Sequence, residues 1–145
     1  MKTSDLSTVK NFNYSGEKIF ENAKDFLPIN GTDFVELYVG NAKQAAHYYK
    51  TAFGFQELAY CGLETGVRDK ARYVLQQGKI RLVLTTSLYP DSEISKHVLQ
   101  HGDGVKVLAL EVDDARKSYN ETTKRGAIGV IQPTVFNDDT GEVVI

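Results

Sequence analysis

Two stretches of this 145-residue chain are built to one plan, and that repetition limits the folds open to it. Residues 31–55 read GTDFVELYVGNAKQAAHYYKTAFGF: a glycine, a strand pattern, a cap, a helix pattern, a closing glycine and a return strand. From Gly104 the order restarts with GVKVLALEV, then Asp113-Asp114, a helical stretch over 115–124, and Arg125-Gly126. In the first copy Val35, Leu37 and Val39 alternate with Phe34, Glu36 and Tyr38, which is the period of a strand. Asn41 is placed to cap a helix over 42–53, whose apolar stripe reads Ala45, Tyr48, Tyr49, Ala52 and Phe53. Gly54 is placed to close that helix in a left-handed conformation.

Three strand patterns follow, over 55–61, 71–77 and 80–86. Gly78-Lys79 is short enough to make a hairpin of the last two. The first unit is therefore β-α-β-β-β over 31–87, and a connector over 88–103 carries a short helix at about 92–100. The second unit, 104–145, is expected to have a strand at 105–112 and a helix capped by Asp113 or Asp114. A strand over 127–136, broken near Pro133, then leads through the turn NDDTG into EVVI. Read this way the second unit stops before its last strand. The expectation is that the chain is the front part of a longer protein; the alternative is an open sheet completed by another subunit. Residues 1–30 form an extension in which Ile19, Phe20, Ala23, Phe26 and Leu27 recur at helical spacing, a short lid or brace ending at Pro28.

Composition excludes several roles. A net charge of -2 gives no basic excess for nucleic acid or an anionic membrane. No apolar run is long enough to cross a bilayer, and the first residues lack a secretory apolar core, so a cytoplasmic protein is the default. Cys61 is the single cysteine, so no internal disulfide is available, and it reads as a free thiol. The sequons at Asn13, Asn30 and Asn120 carry no weight without secretion.

The residues alone offer no convincing active site. His97 and His101 lie four apart on one helix face, a spacing that can hold zinc, but Val98 stands where a water-activating glutamate would be needed. An exposed or capping pair is the plainer reading. His47 falls within the first helix as a surface or boundary residue. Glu36, Glu111 and Asp113 lie on or beside strands, and a carboxylate inside a cupped sheet can act as ligand or base. The plainer reading pairs Glu36 with Arg72 or Arg81 on a neighbouring strand. Residues 68–72 form a charged, solvated turn, and Gly102-Asp103-Gly104 precedes a strand, which rules out a dinucleotide fingerprint.

Two successive β-α-β-β-β units resemble the vicinal oxygen chelate superfamily, an α+β architecture curled into a cup. Within it, VGNAKQAAHYYKTAFGF (39–55), ETGVRDKARYVLQQGKIRLVLTT (64–86), HGDGVKVLALEVDD (101–114) and NDDTGEVV (137–144) resemble the amino-terminal domain of the 4-hydroxyphenylpyruvate dioxygenase family. The sister family, hydroxymandelate synthase, shares the architecture and the substrate. The resemblance implies an enzyme that converts 4-hydroxyphenylpyruvate and dioxygen to homogentisate and carbon dioxide in tyrosine catabolism. It implies a non-haem Fe(II) held by two histidines and a glutamate of a carboxyl-terminal catalytic domain, the partner of this segment, in a homo-oligomer. The superfamily ligand places on the first and fifth strands correspond to Phe34 and about Val107, both apolar, and the last falls on an eighth strand. No catalytic, cofactor-binding or metal-binding residue is therefore expected on this segment, which should be inactive alone. Two rival readings remain: a metal-free binding module with Phe34, Tyr38 and Tyr73 lining a pocket, and a small metalloenzyme using His97 and His101.

Overall fold

The computed structural model describes residues 25–138 and 141–145. Seven strands and three helices follow in the order β1 (Ile29–Tyr38), α1 (Ala42–Phe53), β2 (Gln56–Cys61), β3 (Lys70–Gln77), β4 (Ile80–Ser87), α2 (Glu93–His101), β5 (Gly104–Val112), α3 (Ala115–Lys124), β6 (Val135–Asp138) and β7 (Gly141–Val144). The helix expected in the amino-terminal extension lies largely outside the described residues; its last expected members, Phe26 and Leu27, are described and lie in a bend rather than a helix.

Helix ends behave as their residues dictate. Asn41 is extended and its side chain accepts from the Gln44 N–H, so the helix starts where a short polar acceptor can satisfy a free donor. Gly54 closes α1 at φ 76°, with its N–H returned to the Lys50 carbonyl. Ser92 caps α2 and Asp114, rather than Asp113, caps α3.

The main sheet has the order β2-β3-β4-β1-β5. β1 runs parallel to β4, with α1, β2 and β3 forming the connection between them, and antiparallel to β5. The two repeated strands thus pair side by side within one sheet: Val35 opposes Leu108 and Glu36 opposes Val107. Gly78-Lys79 is a two-residue turn that sets Gln77 against Ile80, as its spacing predicts. The core sits between the sheet and α1, where Val39, Ala42, Ala46, Leu75 and Leu84 are buried and Leu37, Ala45, Tyr49, Phe55, Tyr73 and Leu82 pack around them.

Three expectations need correction. The buried stripe of α1 runs through Ala42, Ala45, Ala46 and Tyr49, while Tyr48 and Phe53 are more than half exposed. Their rings meet edge to face instead, with centroids 5.7 Å apart, because alanines let the helix sit close to the sheet and leave no room below for a second ring. The chain over 127–134 is not a strand: Ile128, Val130 and Ile131 are exposed at 90%, 87% and 76%. Apolar alternation makes a strand only where a neighbour accepts its hydrogen bonds, and Pro133 has no N–H to give. Finally, β6 and β7 make a separate two-stranded sheet, extended by reciprocal hydrogen bonds between Thr134 and Ile145, and do not join β5. Smaller differences are the start of β1 at Ile29 and a 3₁₀ turn over Leu63–Thr65 linking β2 to β3. Among the described residues no helix is long and apolar enough to cross a membrane.

Candidate functional site

Strand alternation and register decide which side chains face the cup. Glu36 opposes Val83 on β4 and Val107 on β5, Phe34 opposes Ala109, and on β3 Arg72 opposes Thr85. Phe34, Glu36, Tyr38, Arg72, Val74, Val83, Thr85, Val107 and Ala109 therefore share the face turned away from α1. Tyr73 does not: it opposes Leu84 and packs with the core beneath α1. The pocket drawn from Phe34, Tyr38 and Tyr73 is thus split between two faces, because Tyr73 is one residue out of step with Arg72.

Glu36 is the buried acid of this face, 8% exposed. Its Oε1 accepts from Thr85 Oγ1 at 2.6 Å and from Arg72 Nη2 at 2.8 Å, while Arg72 Nε donates to Thr85 Oγ1 at 3.1 Å. Thr85 is fully buried and uses its hydroxyl both ways, donating to the carboxylate and accepting from the guanidinium. The three groups close a charge-neutral triangle across β3, β4 and β1. Arg81 takes a different partner, Asp33, at 2.6 Å. Among the described residues no buried side-chain nitrogen or oxygen lacks a hydrogen bond.

The other candidates lie elsewhere. His47 is exposed on α1. His97 and His101 project from α2, ring centroids 4.9 Å apart, and His97 stands edge-on to Tyr38 at 5.4 Å. Lys106 Nζ lies over the Tyr38 ring, 5.9 Å from its centre. Loss of water contact, then the neighbouring His101 and Lys106, hold the His97 imidazole below its ordinary pKa of 6.5. Tyr38 is shifted the other way, raised by loss of water contact and by the Glu36 charge. Glu111 is exposed, Asp113 accepts from Asn30 Nδ2 at 2.7 Å, and Asp103 accepts the Gly40 N–H at 2.7 Å. Cys61 is a free thiol of intermediate exposure.

A non-haem iron needs two imidazoles and a carboxylate converging on one point with open positions beside them. This cup does not fit it: its buried carboxylate, Glu36, is committed to Arg72 and Thr85, and Phe34 and Val107 can donate nothing. Among the described residues no group of three His, Cys, Asp or Glu side chains is arranged to hold a metal. What the cup does offer is a cleft of about 770 Å³ between β5, the start of α3 and the end of β7, lined by Phe34, Val107, Ala109, Val143 and Ile145 with Glu111 at its rim. The part of this site that sequence reasoning missed is Thr85. Only its even spacing from Val83 puts it on the cup face, and nothing in the sequence says that a threonine there will bridge an ion pair.

Comparison with known proteins matches these features to one family. The family model described as hydroxyphenylpyruvate dioxygenase, HPPD, N-terminal, matches residues 20–143. A 4-hydroxyphenylpyruvate dioxygenase of Dictyostelium discoideum is 44% identical over 118 residues, covering 81% of this chain and 32% of that protein. One from Xenopus tropicalis is 42% identical over 108 residues, covering 74% and 27%. The chain thus spans about a third of the length of these relatives. Among solved structures, a variant of 4-hydroxymandelate synthase from Streptomyces coelicolor superposes with a TM-score of 0.75 at 30% identity, covering 81% of this chain and 34% of that one. Methylmalonyl-CoA epimerase from Mycobacterium tuberculosis superposes at 0.61 with 17% identity, covering 81% of this chain and 79% of that one, which speaks for the fold alone. The chain belongs to the family of hydroxyphenylpyruvate dioxygenase amino-terminal domains, with the α+β fold of the vicinal oxygen chelate type.

Proposed function

We propose that this chain is the metal-free, supporting domain of a 4-hydroxyphenylpyruvate dioxygenase. The whole protein would convert 4-hydroxyphenylpyruvate and dioxygen to homogentisate and carbon dioxide in tyrosine catabolism. It would do so in the cytoplasm and as a homo-oligomer, with Fe(II) held in a separate carboxyl-terminal domain. The relatives named 4-hydroxyphenylpyruvate dioxygenase support the activity. The observation that carries the supporting role is the Glu36–Arg72–Thr85 triangle, which neutralises the buried carboxylate of a cup in which Phe34 and Val107 stand at the places expected of ligands. Such a face holds strands together and has no ligand set to spare.

The 145-residue chain, incubated with Fe(II), ascorbate and 4-hydroxyphenylpyruvate under air, should form no homogentisate and retain no iron through gel filtration. Homogentisate formation, or stoichiometric retained iron, would sink the supporting role. A second reading, the equivalent domain of a hydroxymandelate synthase, is favoured by the superposition on the Streptomyces coelicolor synthase. The two are separated by the product of the whole protein, homogentisate for one and 4-hydroxymandelate for the other.

A further inference from the structure

Helix α2 lies in the connector between the two units, and its last two turns carry His97 and His101. Side chains four apart on a helix are surface neighbours. Here the two rings do meet, with centroids 4.9 Å apart and planes inclined at 50°. Tyr38 holds the His97 ring from the side, nearly perpendicular to it, with centroids 5.4 Å apart. His101 is the final residue of the helix and is exposed. Among the described residues neither imidazole makes a hydrogen bond or an ion pair, so their ring nitrogens are not spent on the protein. One ring is therefore pinned, and the other is free to turn toward it.

We infer that His97 and His101 form a two-point chelate for a divalent transition-metal ion, copper(II) before zinc(II). Their spacing is the one by which two helical histidines grip a single ion, each giving it a ring nitrogen. The ion sits over the last turn of α2, where the carbonyl end of the helix dipole favours positive charge. Lys106 opposes it, with its Nζ over the Tyr38 ring. An ion that binds here needs bonds to imidazole strong enough to outweigh that charge, which water and salt screen at an exposed site. This selects copper(II), the tightest of the divalent first-row ions on nitrogen ligands, then zinc(II), over iron(II), calcium and magnesium. Among the described residues no third His, Cys, Asp or Glu converges on the pair. The other coordination positions therefore go to water or to a donor from another molecule. Such an ion differs in ligand set from an iron held by two histidines and a carboxylate, so this inference and the supporting role of the domain can fail independently.

Copper(II) is the probe, added to the 145-residue chain in a Cys61→Ser background so that the thiol neither binds nor reduces it. One equivalent should bind and give the electron paramagnetic resonance pattern of two nitrogen ligands. It should also raise Tm, because an ion that binds only the folded helix stabilises the folded chain. His97→Gln and His101→Gln should each weaken binding about 100-fold, since a chelate that loses one arm loses its effective concentration. Each should also abolish the rise in Tm. His47→Gln, which removes the histidine of α1, should change neither reading. Zinc(II) should compete for the site and magnesium should not. Circular dichroism of the metal-free variants separates loss of a ligand from loss of the helix. Copper bound as tightly by a folded single variant, a spectrum with one nitrogen, or an equal rise in Tm with magnesium would overturn the inference.

Discussion

Arg72 reaches from β3 over β4 to place its Nη2 2.8 Å from Glu36 Oε1 on β1. The pair ties three strands together at the one acid of the cup that is buried among the described residues. Removing the arginine leaves that carboxylate without its countercharge in a site that water barely reaches. Breaking a fully buried pair costs about 3–5 kcal/mol. Because the Arg72 side chain is 37% exposed, solvent offsets part of this, and Arg72→Leu should cost about 2 kcal/mol. The double variant Glu36→Leu/Arg72→Leu should recover part of the loss, since the unpaired charge is gone while the buried Thr85 hydroxyl is left without its two partners. Urea unfolding of the four species gives the cycle; a double variant as unstable as Arg72→Leu would contradict it.

Much of this site was legible in the sequence. Phe34, Glu36 and Tyr38 alternate with Val35, Leu37 and Val39, and that alone assigns them to opposite faces. The charge balance makes an arginine partner for Glu36 the natural expectation. Which arginine was not legible. Arg72 and Arg81 are both on strands near β1, and only the register, Arg72 opposite Thr85 and Thr85 opposite Tyr38, selects the first. The hairpin end was read less well for a different reason. Apolar alternation over 127–136 is a local signal, whereas strand formation is decided by a neighbour that the local sequence does not contain.

The closing residue of α1 carries a second prediction. Gly54 has φ 76°, and its N–H and that of Phe55 return to α1 carbonyls while Gln77 Nε2 donates to the Phe53 carbonyl. A side chain in this left-handed conformation costs about 1–2 kcal/mol. It would also meet Gln77, whose Nε2 lies 3.4 Å from where a Cβ would stand. Gly54→Ala should lower stability by that amount without changing the urea m-value, and Gly66→Ala, with φ 85° but open space around it, should show the strain alone. Equal or higher stability of Gly54→Ala would mean that the turn relaxes.

Leu84 tests where the core lies. It is fully buried between the sheet and α1, beside Leu75 and Ala46. Truncation leaves a cavity that β-sheet backbone on one side and helix on the other cannot close. Leu84→Ala should therefore cost about 3–4 kcal/mol, whereas Leu58→Ala on the exposed edge strand should cost about 0.5 kcal/mol or less. Similar losses at both positions would place the core elsewhere.

His97 makes stability depend on pH in a defined direction. Its folded-state pKa lies below 6.5, first through loss of water contact and then through His101 and Lys106; Tyr38 presents its ring edge-on, and Glu93 carries the nearest acid on the same helix. At a pH just below 6.5 the unfolded chain binds a proton at this position that the folded chain refuses, so the unfolded state gains. The contribution of a neutral His97 is therefore complete above 6.5, falls as pH drops from 6.5 toward the lower folded value, and stays constant beneath that value. His97→Gln, which keeps a polar group against Tyr38 but cannot titrate, should flatten this part of the profile. The check is the difference in Tm between the two proteins across pH 5 to 8, with the His97 ring resonances followed by NMR. A midpoint at or above 6.5, or a pH profile unchanged by the substitution, would show that the cluster of His97, His101 and Lys106 does not act on this imidazole.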